Sequence, residues 1–201
     1  DAGWEEKFTD LFYMSAAEVK PLEEMLHITE PYQVHEPGAV VAYSNYGVAL
    51  AGFIVEQLTA QPFYDYINEH IFSVLEMEDT SIHPTQEDNL DVAINREAVY
   101  GYSVNSDNEF NVSKNERIFI GLYPAGSAIG TIADAAKFMM ALMPANGMTS
   151  PLFQNHHTLD EMLTTSDFYG DGFPRNAHGF WEGLYTVDVL EHAGNTDSFS
   201  S

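Results

Sequence analysis

The chain has 201 residues, enough for one domain or one and a half. With 45% hydrophobic and 13% aromatic residues it can bury a core and is not disordered by composition. Seven basic against 31 acidic residues give a formal charge of −24, a field that repels phosphate backbones and anionic lipid, so neither nucleic-acid nor membrane-surface binding is expected.

There is no Cys, hence no disulfide or thiolate chemistry. No apolar run approaches the roughly 18–20 residues that span a bilayer, so no membrane insertion is expected. The acids are scattered, which reads as a heavily solvated surface; a docking face for a cationic partner is the alternative. The opening DAGWEEKFTD lacks the basic start and apolar middle of a signal peptide, and the close, HAGNTDSFSS, ends in mid-pattern. The expectation is a segment of a longer protein. Compartment is not determined by these features.

In chain order, residues 15–26 predict a short helix interrupted or started at Pro21. Pro37-Gly38 predicts a turn, followed by an extended apolar run, Ala39–Ala42. Residues 45–59 predict a helix with Val48, Ala51, Val55 and Leu58 on one stripe and Ile54 beside it. Ser44 or Asn45 is its cap. A second helix starts at Pro62 and carries Phe63, Ile67, Ile71, Val74 and Leu75 on one side. Residues 80–125 read as irregular or strand-like, with a hairpin turning at 105–108.

Thr131-Ile-Ala-Asp134 has the form of a capping box. The helix after it aligns Ile132, Ala135, Met139 and Met143; the face formed by Met139, Met140 and Met143 is expected to pack in a core. HTLDEMLTT predicts a short helix, and Phe180–Glu191 two short strands. The other seven histidines show no metal spacing, and neither a Gly-x-Gly-x-x-Gly nor a Walker loop occurs, so no metal or cofactor is expected.

Two tripeptides stand out in this order: Tyr43-Ser44-Asn45 and His192-Ala193-Gly194. With the segments around them, the chain resembles the serine β-lactamase and penicillin-binding-protein-like superfamily, in its branch of class C-like enzymes, esterases and D-aminopeptidases. That branch carries Ser-x-x-Lys, then Tyr-x-Asn, then His-x-Gly or Lys-Thr-Gly. YSNYGVALAGFIVEQL resembles the segment following the Tyr motif. YPAGSAIGTIADAAKFM is similar to the family's Gly-Gly…Ser-Thr-x-x-Asp block, and HGFWEG to the strand before the third motif. The resemblance implies an α+β fold: a helical domain plus part of the antiparallel sheet. Residues 1–150 would be mainly helical with the Tyr motif, and 151–201 would hold a helix and strands with the His motif, both parts of one truncated catalytic domain.

Acyl transfer from a serine needs a group to accept its proton and donors for the oxyanion. The resemblance makes Tyr43 that base or relay, its phenolate made accessible by a neighbouring Lys ammonium. It gives Asn45 the role of amide donor to a substrate carbonyl or to the Lys, and His192 that of the third motif's cation. Gly194 would let substrate backbone approach, and the amide of Asn195 would be an oxyanion donor. Tyr43 and His192 are expected to converge on one pocket. The substrate would be a small molecule or peptidoglycan-like: an ester, a D-amino-acid amide or a β-lactam. The family also implies an extracytoplasmic or secreted bacterial setting.

The first motif is absent. No Ser in the chain has a Lys three residues on, and Ser15 and Lys20 lie five apart, on different faces of a helix. The nucleophile and its Lys are therefore expected upstream, and the chain alone is expected to be inactive. A non-catalytic, ligand-binding or regulatory relative is the alternative. Self-association through uncovered sheet edges is a further expectation. At Glu76, where relatives carry Gly, the turn is expected to differ.

Overall fold

The computed structural model describes residues 4–5, 11–114, 118–145, 148–168, 172 and 174–196. The chain forms two compact units, Asp1–Lys137 and Phe138–Ser201. Helices and small antiparallel sheets together make the α+β class expected from the sequence.

In the first unit, β1 (Trp4–Glu5), β2 (Phe12–Tyr13), α1 (Leu22–Thr29), β3 (Tyr32–Gln33) and α2 (Asn45–Thr59) come first. Pro21 stands at the entry of α1, as read. Gly38, at φ 79°, closes the predicted turn, where a residue without Cβ avoids strain. The apolar run after it forms no strand. Strand β1 pairs with β3.

Helix α2 packs on α1 through a core of Leu11, Leu22, Met25, Leu26, Ala49, Leu122 and Tyr123. Its buried face holds Ala49 and Gly52, not the stripe read from the sequence: Val48, Ile54 and Leu58 are exposed, Leu58 to 81%. Gly52 is required by a close approach. A Cβ there would meet Pro124 Cγ at 2.7 Å. Periodicity reveals an apolar face, but α2 carries apolar residues on more than one side, and small residues win the side where backbones come close.

Helix α3 (Phe63–Ile67) passes without a break into a π-turn at Asn68–Phe72. Glu76 then takes the left-handed conformation, φ 55°, so the turn expected to differ is present with its strain. The Lys137 ammonium donates to the Glu76 carbonyl and helps to hold it. Glu76→Gly is therefore expected to raise stability by up to about 1 kcal/mol, read from the urea midpoint; a lower midpoint would show that the side chain matters more than the backbone.

Helix α4 (Leu90–Glu97) corrects the irregular reading of this region. Asn89 caps it by accepting from Val92 N at 3.2 Å. Leu90 and Ile94 are exposed while Val92, Ala93 and Arg96 are buried, so no clean apolar stripe marks it. The predicted hairpin is β4 (Tyr100–Val104) against β5 (Phe110–Lys114), with Asn105 Oδ1 accepting from the amides of Asp107 and Glu109. Strand β6 (Phe119–Ile120) pairs with β2 and leads into the 3₁₀ turn Tyr123–Ala125.

Helix α5 (Ile132–Leu142) begins as read, with Asp134 N donating to Thr131 Oγ1 at 3.3 Å. The carboxylate does not complete the capping box. It accepts instead from Asp79 N at 2.8 Å and Thr80 Oγ1 at 2.9 Å, and from Lys137 Nζ at 2.7 Å. A shorter acid than Glu has reached across to another segment. The methionine reading is also corrected: Met139, Met140 and Met143 are exposed, and so is Ile132. The period places them on the helix but does not say what covers them.

In the second unit, Asn155 caps α6 (His156–Met162), accepting from His157 N at 2.9 Å. Strands β7 (Asp167–Phe168), β8 (Pro174–Ala177), β9 (Phe180–Leu184) and β10 (Asp188–Glu191) form an antiparallel sheet in the order β10-β9-β8-β7. The predicted pair of strands is β9 and β10. His178 and Gly179 both take positive φ, which suits the two-residue turn between β8 and β9.

Candidate active site

Tyr43, Ser44 and Asn45 sit where an irregular segment enters α2. Ser44 is the cap: its extended backbone (φ −149°, ψ 113°) lets Oγ accept from Gly47 N at 2.8 Å. Asn45 is thereby freed from capping and becomes the first helical residue. The Tyr43 hydroxyl donates to Asn45 Oδ1 at 3.2 Å, so the structure brings these two predicted residues together. That leaves the Nδ2 hydrogens as the amide's donors. Tyr43 is 50% exposed. Burial, aided by the Glu30 charge, raises the pKa of the neighbouring Tyr46 above the ordinary phenol range.

The third motif belongs to the second unit. Strand β10 stops at Glu191, and His192, Gly194 and Asn195 follow in the exposed segment beyond it. β10 is the edge strand of its sheet. Trp181 faces Glu191 across the β9–β10 pair, so the register fixes where that segment leaves the sheet. The last residues of HAGNTDSFSS, 197–201, lie outside the described residues. Among the described residues no cluster of His, Asp and Glu could hold a metal ion.

Sequence reasoning passed over two residues of the first unit, Glu56 and Tyr123. Their side chains meet at 2.6 Å beneath the far end of α2. The signal was a lone carboxylate inside the apolar run Gly52–Leu58.

The sequence model of the family described as Beta-lactamase matches residues 12–201. Protein flp of Staphylococcus aureus (strain MW2) is 27% identical over 171 residues, which cover 83% of this chain and 31% of that protein. D-amino acid amidase from Ochrobactrum anthropi SV3, solved with L-phenylalanine amide, aligns with a TM-score of 0.73 at 26% identity, over 96% of this chain and 55% of that one. D-stereospecific amidohydrolase from Streptomyces sp. shares the fold, with a TM-score of 0.62 at 20% identity, over 90% of this chain and 51% of that one. The chain thus spans 31% of the curated relative and 55% of the solved amidase. With its α+β architecture, the Tyr43–Asn45 pair at the head of α2 and a match from residue 12 to the end, the chain belongs to the Beta-lactamase family.

Proposed function

We propose that these residues form part of a serine hydrolase working through an acyl-enzyme, with the attacking serine and its lysine contributed by chain outside the 201 residues. The observation that carries this is the Tyr43–Asn45 hydrogen bond at the first turn of α2, in a chain matched by the family from residue 12 onward. In this reading Tyr43 reacts as its phenolate beside the lysine ammonium: it takes the serine proton as the serine oxygen bonds to the acyl carbon, the bond from that carbon to the leaving group breaks, and the leaving group carries the proton away. Asn45 steadies the phenol and offers its amide hydrogens to the substrate carbonyl or the lysine. His192 supplies the third motif's polar group, Gly194 clearance for substrate, and the Asn195 amide an oxyanion donor.

The amide of a D-amino acid is the substrate class to try first, given the 26% identity to D-amino acid amidase. An ester or a β-lactam is the next. The acidic surface suits a neutral or cationic substrate better than an anionic one.

A second reading, a ligand-binding relative without turnover, is favoured by one fact: no Ser-x-x-Lys occurs in the 201 residues. Labelling separates the possibilities. The 201-residue chain is expected to take up no fluorophosphonate and no fluorescent penicillin; a stoichiometric adduct would place the nucleophile within it and overturn the assignment. A polypeptide with a Ser-x-x-Lys ahead of these residues is expected to label and to hydrolyse D-phenylalanine amide. If the natural upstream sequence has lost that motif, the binding reading takes over.

A further inference from the structure

At the end of α2 opposite Tyr43, the surface of the first unit carries an open cavity of about 630 Å³. Glu56 lies eleven helical steps beyond Asn45, about 16 Å at 1.5 Å per residue. The cavity lies between the start of α1, the α2–α3 link and the 83–87 segment, with Tyr123 among its lining residues. It plays no part in the proposed hydrolysis and does not depend on it.

Glu56 lines this cavity in an asymmetric way. Its Oε1 is held by two donors, the Tyr123 hydroxyl at 2.6 Å and Phe63 N at 2.8 Å. Tyr123 is almost fully buried; burial first, then the hydrogen bond to Glu56, raise its pKa far above the usual phenol value, so it stays a donor. Oε2 takes no hydrogen bond among the described residues. The carboxylate is thus fixed in place by one oxygen with acceptor capacity left on the other.

The surroundings favour a positive charge. The last turn of α2 contains no basic residue to offset its carbonyl ends. Glu87 also lines the cavity, and the lining cation, Lys20, is engaged with Glu24 at 2.5 Å. Val19, Leu22, Pro62 and Pro84 supply apolar wall. The Tyr64 ring lies edge-to-face with His83, centroids 4.4 Å apart, which fixes an aromatic surface suited to a cation. His83 Nδ1 accepts from Thr85 N at 3.2 Å.

We infer that this cavity binds a small organic cation, an ammonium or guanidinium carried on a short apolar body, with its charged head at the open oxygen of Glu56. The net charge of −24 raises the local concentration of such ligands, while the fixed carboxylate and apolar walls distinguish the site from the general surface.

The test is a titration of the 201-residue chain with benzylammonium, followed by amide NMR shifts, with benzyl alcohol as the neutral control. Saturable shifts are expected at Gln57, Gln61, Tyr64 and Thr85, and none with the alcohol. Glu56→Gln keeps a carbonyl oxygen for Tyr123 and Phe63 and replaces the open, charged oxygen by an amide NH2. It is expected to weaken binding on the order of tenfold with an unchanged melting temperature. Gln57→Trp, which places a large ring at a lining position and leaves the Glu56 hydrogen bonds to Tyr123 and Phe63 in place, is expected to block binding. Shifts spread over the acidic surface, equal shifts with the alcohol, no shift at all, or undiminished binding in either folded variant would each overturn the assignment. Should Glu56→Gln fail to fold, Gln57→Trp decides alone.

Discussion

Tyr43→Phe is expected to lower kcat/KM by about 10²–10⁴ in a polypeptide that carries a Ser-x-x-Lys ahead of these residues, the range that a positioned proton acceptor contributes. The substitution removes one oxygen and little else. Half of the Tyr43 side chain faces solvent, and its described hydroxyl contact is an exposed bond to Asn45. A surface change of this kind alters stability by roughly 0.5 kcal/mol or less. The expected signature is therefore a large fall in kcat with little change in KM or melting temperature. Equal losses of activity and stability would assign Tyr43 a packing role. A variant with wild-type kcat would remove the phenol from the proton path and, with it, the reason for pairing a Tyr and an Asn across Ser44. Single-turnover labelling sharpens the test, because acylation should slow as much as overall turnover does.

The head of α2 was legible in the sequence because its chemistry is local. Ser44 caps in an extended conformation, Asn45 begins the helix, and the Tyr43 hydroxyl reaches Asn45 across the cap, all within three residues. The hairpin β4–β5 and the β9–β10 pair were legible for the same reason: alternation and turn residues are short-range signals. What failed depended on distant partners. The stripe Val48, Ala51, Val55 and Leu58 is apolar and periodic, yet the side of α2 that packs is the one where Gly52 admits Pro124. Helix α4 hid because its inward residues include Arg96, which satisfies Gln86 Oε1 and the Ile118 carbonyl at 2.6 Å each. A buried arginine reads as surface until its acceptors are known. The direction of the Asp134 carboxylate depends on a segment 54 residues earlier, which no local motif records.

That carboxylate is the second place where a large effect is expected. Asp134 is 1% exposed and joins the turn at Glu76–Thr80 to the first turn of α5 through Asp79 N, Thr80 Oγ1 and Lys137 Nζ. Asp134→Ala leaves the part-buried Asp79 amide and the buried Thr80 hydroxyl without their acceptor, and a buried donor so orphaned costs about 1–3 kcal/mol. A loss of about 3 kcal/mol is expected, a fall in melting temperature of about 6–12 °C for a chain of this size. Asp134→Asn keeps one oxygen for Asp79 and Thr80 but meets Lys137 with an amide, so its loss should be smaller. Acid then separates charge from shape. Burial alone would raise the Asp134 pKa, but the hydrogen bonds from Lys137, Thr80 and Asp79 outweigh it and hold the value below the ordinary aspartate range. The folded chain therefore takes up this proton less readily than the unfolded chain, whose aspartates titrate near about 3.9. The stabilisation is complete at neutral pH and is lost as pH falls below about 4, through the folded-state value. The urea-measured gap between wild type and Asp134→Asn should stay level from neutrality to about pH 5 and close below about pH 4. A gap that stayed level in acid would mean that the ionised carboxylate is not what the clamp recognises, and an unchanged midpoint for Asp134→Ala would mean that the clamp does not hold the turn to the helix.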